Sequence, residues 1–153
     1  MKLIFAIGIL VCSFSMVAFA QKAAGNAEFK ILIDRYNTAW SSLNPDNASP
    51  MYAKDAALVF YDLAPLKYTG WAEYDKGVRS MFSTFETLKL TANDDLKVER
   101  RGNIAWTTVT FHLSAKQKTA GPFEMEGRHT AIWEKRGGKW LIVHEHVSAP
   151  LPG

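Results

Sequence analysis

Several shortages in this 153-residue chain each remove a class of function. Its one cysteine is Cys12, so beyond that position there is neither a disulfide framework nor a thiol nucleophile. Neither base nor acid is in large excess: 18 Lys and Arg face 15 Asp and Glu, a formal charge of +3. That balance argues against nucleic acid, which calls for clustered basic side chains. Glycine-rich phosphate loops and nucleophile elbows are missing, which leaves no cofactor fingerprint, and any chemistry is expected to be cofactor-free. There is no repeat, low-complexity tract or interdomain linker.

Only one long apolar run exists, and it opens the chain: MKLIFAIGILVCSFSMVAFA, with Lys2 ahead of it and Ala18-Phe19-Ala20 behind. Small residues at Ala18 and Ala20 fit a signal-peptidase site, so residues 1–20 read as a signal peptide cut before Gln21. The run lies near the lower length limit for a membrane span, and no membrane association is expected once it is removed. Export to the periplasm or the exterior follows. Cys12 leaves with the signal, and the charge falls by one with Lys2. Residues 21–25 form a flexible leader, 26–150 a single domain, and 151–153 a tail.

What is present is aromatic and patterned. Phe29, Leu32, Ile33, Tyr36, Trp40 and Leu43 recur at helical spacing behind Asn26, a suitable N-cap. Asn44-Pro45-Asp46 stops that helix, and residues 47–53 suit a short second one. Residues 57–62 read as a strand, Leu63-Ala64-Pro65 as a turn, and Lys67-Tyr68 as a brief strand. Thr69 caps a third helix over about 71–85, with Trp71, Tyr74, Val78, Phe82 and Phe85 along one side. Strands follow over 88–101 (interrupted at Asn93-Asp94-Asp95), 103–115, 123–135 and 139–148, with a polar loop over 116–122. Helices first and an antiparallel meander after predict an α+β fold, helices packed on one face of a curved sheet. A half-cone of this kind opens between helix and sheet, where a ligand pocket forms naturally.

Gly127 to Ser148, GRHTAIWEKRGGKWLIVHEHVS, carries three of the four histidines: His129, His144 and His146. Gly137-Gly138 between two β-rich runs signals a hairpin. A two-residue loop would put His129 opposite His146 and gather His129, Trp133, His144 and His146 on one face. A three-residue loop flips the parity and brings Glu145 to the side of His129 and Trp133, because a one-residue shift turns every side chain over. His144-x-His146 has a metal-ligand spacing, with His129 as a conceivable third nitrogen, but no well-placed acid follows. The pair is therefore read as structural and no metal is expected.

The order of elements resembles the nuclear-transport-factor-2-like superfamily, specifically its SnoaL-like branch. Arg128-x-Thr130, Trp133, Gly138-Lys139-Trp140 and His144-x-His146-x-Ser148 carry the resemblance, with Met51-Tyr52-Ala53-x-Asp55-Ala56 upstream. The terminal hairpin also resembles the association (hub) domain of calcium/calmodulin-dependent kinase II. The resemblance implies a cone-shaped, cystatin-like fold and a homodimer, with His144, His146 and Ser148 as a structural signature. Activity does not follow from fold, since this one hosts isomerases, cyclases, dehydratases and assembly modules.

Against ketosteroid isomerase, the first-helix tyrosine falls at Tyr36, while the position of the base falls near Phe60, whose ring takes no proton. Asp62, on the same strand face, is the substitute. The hub resemblance favours the three-residue loop, and its cavity arginines fall at Ala131 and Val147, so an anion clamp is missing. The implied pocket has an aromatic floor of Tyr36, Trp40, Phe60 and Trp133, with Val147 beside it. His129, Glu145 and Asp62 are the candidates for acid–base work. A small apolar or aromatic ligand is expected, turned over by isomerase, lyase or cyclase chemistry. The alternative is a non-catalytic binding or assembly module.

Overall fold

The computed structural model describes residues 26–151; the expected signal peptide and leader, and the last two residues of the tail, lie outside them. Helix α1 spans residues 26–41 and buries Phe29, Ile33, Tyr36 and Trp40, the apolar stripe of a helix laid along a sheet. It is already helical at Asn26 and ends at Leu43, which takes a left-handed φ of 56°. Helix α2 (Pro45–Ala48) begins two residues later, with Pro45 in its first turn and the Asn44 side chain accepting from the Asp46 amide at 3.1 Å. Asn44-Pro45 thus starts this helix, earlier than the expected 47–53, and a 3₁₀ turn (Ser49–Met51) finishes it. Beyond it, Tyr52 bridges to Ile142 and the Ala53 amide donates to the Ile142 carbonyl at 3.0 Å.

Strand β1 (Val59–Tyr61) pairs with β2 (Tyr68–Thr69), and α3 (Gly70–Phe82) follows directly. Glu73 reaches back to accept from the Thr69 amide at 2.8 Å, whereas the Thr69 hydroxyl makes no cap. Tyr74, Val78 and Phe82 form the buried stripe of α3, and Gly77 leaves room for the Tyr68 ring, which any Cβ there would strike.

Four further strands precede the last: β3 (Phe85–Ala92), β4 (Lys97–Arg101), β5 (Ile104–Gln117) and β6 (Gly121–Arg136), with β7 (Lys139–Ser148) closing the set. The seven-stranded sheet runs β2-β1-β7-β6-β5-β3, and β4 pairs with the start of β5. All pairings are antiparallel except β1 with β7. The 116–122 segment is mostly strand, since Gln117 pairs with Gly121. Along β5 the inner face buries Ala105, Thr107, Val109, Phe111, Leu113 and Ala115, while Ile104, Trp106, Thr108, Thr110 and His112 face outward. Helices packed on one face of a curled, mainly antiparallel sheet make this an α+β fold.

The β6–β7 hairpin combines features of both expected registers. Arg136 pairs with Lys139, so the loop is the two residues Gly137-Gly138, with φ of 55° and 80° as a type I′ turn requires. Trp133 pairs with Ile142 as a two-residue loop dictates, but Ile132 pairs with His144, which leaves Val143 as a bulge. That one extra residue reverses the parity beyond it. Glu145 and Val147 therefore turn inward beside His129, and His144 and His146 turn outward. The expected three-residue loop is wrong, yet the face it implied for Glu145 is the one observed.

Candidate functional site

Between α1, α3 and the inner sheet face lies a cavity of about 80 Å³. Its apolar wall includes Trp40, Val78, Phe82, Val109, Phe111 and Val147; its polar atoms come from Tyr36, Asn37, Asp62, Tyr74 and His129. Trp40, Tyr36 and Val147 thus line it as the sequence suggested. Phe60 and Trp133 do not: Phe60 stacks on Tyr74 at 5.2 Å, and Trp133 packs edge-on to Phe29 and donates to Thr107 Oγ1 at 3.0 Å. Both rings belong to the core behind the wall.

Glu145 is fully buried and does not reach the cavity surface. The Tyr52 hydroxyl stands 2.9 Å from each of its oxygens, the Tyr74 hydroxyl 2.5 Å from Oε1, and His129 Nε2 3.3 Å from Oε2. The Trp40 indole N–H donates to the Tyr52 oxygen at 3.2 Å, so the phenolic proton of Tyr52 is left for Glu145. A carboxylate surrounded by such donors is held in place, and it holds them. The role expected for Glu145 as a reacting acid or base is therefore corrected: with no face toward the cavity it positions Tyr74 and His129. The Tyr36 ring stacks on His129 with centroids 4.5 Å apart, which fixes the imidazole from its other side. Burial first, and the charge of Glu145 second, push the phenols of Tyr36, Tyr52 and Tyr74 well above their ordinary range, so all remain neutral donors.

Asp62 differs in being half-buried in the cavity wall, with Oδ2 3.4 Å from the Tyr74 hydroxyl and Oδ1 accepting from the Leu63 amide at 2.7 Å. Burial, reinforced by the charge of Glu145, raises its carboxyl from 3.8 to about 6. Protonated, it can donate to the Tyr74 oxygen, whose own proton points to Glu145. Ionised, it is a base in an apolar cavity. Sequence spacing gave no reason to single out Tyr52, Tyr74 or Asn37; the available signal was that a buried Glu145 must find donors, and inward-facing tyrosines are the donors at hand.

On the outer face, His144 Nδ1 lies 2.7 Å from the Val59 carbonyl oxygen, and His144 and His146 both pack edge-on to Tyr61. His129 lies on the opposite face, so the three imidazoles do not converge. Among the described residues no group of three or more His, Cys, Asp or Glu side chains could hold a metal ion, and no helix is long and apolar enough to cross a membrane.

The inward cavity and the element order define the class, and the sequence bears it out: residues 30–152 match the SnoaL-like domain, and the chain belongs to that family. The solved structures add the nuclear-transport-factor-2-like fold. One such superfamily protein from Salmonella enterica serovar Typhimurium superposes with a TM-score of 0.77 at 22% identity, over 85% of this chain and 94% of that one. A putative calcium/calmodulin-dependent protein kinase II association domain from Xanthomonas campestris gives 0.70 at 22% identity, over 80% and 86%. A putative dehydratase from Streptomyces avermitilis gives 0.74 at 12% identity, over 84% and 99%. Comparison with curated proteins gives no match.

Proposed function

We propose that this SnoaL-like domain is a cofactor-free acid–base enzyme that moves a proton on a small apolar carbonyl compound, exported by its N-terminal segment. The observation that carries the reading is Asp62, a carboxyl raised to about 6 in the wall of a largely apolar cavity. Its carboxylate takes a proton from the carbon α to a carbonyl, and the C–H electron pair moves onto the carbonyl oxygen as an enolate. Tyr36, Asn37 and His129 line the same cavity and supply donors for that oxygen. Return of the proton at another carbon gives an isomer; loss of a β-substituent gives an alkene. The likeness to the putative dehydratase from Streptomyces avermitilis agrees with the second outcome.

The test needs no knowledge of the natural substrate. Exchange of α-hydrogens of butan-2-one in D₂O, followed by NMR, should be accelerated over buffer by the wild-type chain. Asp62→Asn should remove the acceleration while leaving the fold intact. Exchange equal to buffer in the wild type, or undiminished in Asp62→Asn, sinks the proposal. A second reading, a non-catalytic module that pairs through its outer sheet face, draws on the exposed Tyr61, Ile104 and Ile132 and on the association-domain likenesses. A monomer by light scattering would remove it.

A further inference from the structure

The cavity beside Asp62 is small for a ring. A cavity of roughly 150 Å³ holds benzene, or about 25 Å³ for each heavy atom. At about 80 Å³ the present one holds only about three such atoms. Asp62, Leu63 and Val147 also form one side of an open groove of about 920 Å³, continued by Tyr61, Pro65, Leu66, Ser148, Pro150 and Leu151. Leu66, between β1 and β2, and Leu151, after β7, are each 91% exposed and line this groove. Among the described residues Asp62 is the only acid or base common to both spaces, and the only carboxylate side chain lining the groove.

From this we infer that the site takes an unbranched, chain-like carbonyl compound, with a short end in the cavity, the reacting carbon beside Asp62, which lines both spaces, and an alkyl tail lying in the groove over Leu66 and Leu151. The inference rests on the acid–base reading of Asp62 and adds the substrate class. It departs from the aromatic ligand that the sequence suggested, because a ring exceeds the cavity's volume. The tail contributes by apolar burial, and among the described residues no Lys or Arg lines the groove to favour a free carboxylate end.

Methyl ketones from butan-2-one to decan-2-one, with cyclohexanone and 2-tetralone as ring controls, provide the probes. Calorimetric titration and α-hydrogen exchange should both improve with chain length, by about two- to four-fold for each added methylene until the groove is filled. Leu66→Asp combined with Leu151→Asp, both at exposed positions, should flatten that dependence. Acceleration that is flat with chain length, or stronger for 2-tetralone than for decan-2-one, overturns the chain-like substrate while leaving Asp62 as the base. A chain-length dependence that survives the double variant also overturns the groove. Failure of every ketone to bind or exchange overturns both readings together.

Discussion

The Tyr74 hydroxyl stands 2.5 Å from Glu145 Oε1, and through that contact a carboxylate that no ligand touches governs one that lines the cavity. Tyr74 has one proton. It is shared between Glu145 and Asp62 Oδ2, 3.4 Å away, so its hydrogen bond lowers the Asp62 carboxyl while burial and the charge of Glu145 raise it. Glu145→Gln should therefore be costly and informative. It removes a charge-assisted acceptor shared by Tyr52, Tyr74 and His129, for a loss of about 2–4 kcal/mol in folding stability. Because the charge of Glu145 is the second contributor to the raised Asp62 carboxyl, that carboxyl should drop from about 6 toward 3.8. The acid limb of the exchange rate against pH should move down with it; an unmoved limb would mean that Asp62 does not sense Glu145.

Asp62 also predicts how stability depends on pH. Its carboxyl titrates at about 6 in the folded chain and 3.8 as a free side chain, so between those values the folded state binds the extra proton. The contribution is fully present below 3.8 and is lost as pH rises through about 6. Asp62→Asn, which cannot ionise, should therefore melt above the wild type at pH 7–8, and the gap should close toward pH 4. On the order of 1–2 kcal/mol is expected after allowing for solvent at the cavity mouth. A melting-temperature gap that widens on acidification would contradict the assignment.

Gly127 sits under the Phe111 ring, in register with it across β5 and β6, and a Cβ there would overlap the ring. Phe111 is also cavity wall, so the ring displaced by Gly127→Ala has the cavity as its free space. The cost should be about 1–3 kcal/mol of stability, with weakened ketone binding. Adding Phe111→Ala removes the clash, so the double variant should bind better than Gly127→Ala alone. Strictly additive losses in the double-mutant cycle would show that the two residues do not share this space.

Much of the fold was legible because its signals are local. The stripes of α1 and α3, the alternation of β5 and the Gly137-Gly138 turn each follow from neighbouring residues obeying one period. The site was less legible, for two reasons. Trp133 and Phe60 have the size and pattern of pocket residues, yet a ring is placed in core or wall by what packs behind it, here Phe29 and Tyr74. Glu145 and His129 meet only because of the Val143 bulge, and a bulge leaves no mark in a continuous apolar run such as Leu141-Ile142-Val143. The resemblance to hub domains gave the right face for Glu145 through the wrong loop, since a longer turn and a later bulge have the same effect on parity.

The bulge makes a last prediction that separates parity from packing. Pairs on both sides of Val143 already stand in regular antiparallel order, Trp133 with Ile142 and Ile132 with His144. Deleting Val143 therefore keeps every one of those pairs, and the inward direction of Ile142, Glu145 and Val147 with them. The half-buried valine and the bend it imposes are lost, which should lower stability by only about 1–2 kcal/mol. Tyr36, Tyr52 and Tyr74 should stay un-ionised in an alkaline ultraviolet titration, because Glu145 still sits among them. If the bulge were imposed by the facing strand and not by Val143, His144 would take its place, Glu145 would pair with Ile132, and its side chain would turn to the solvent face. The tyrosines would then titrate early and the chain would lose its cooperative melt.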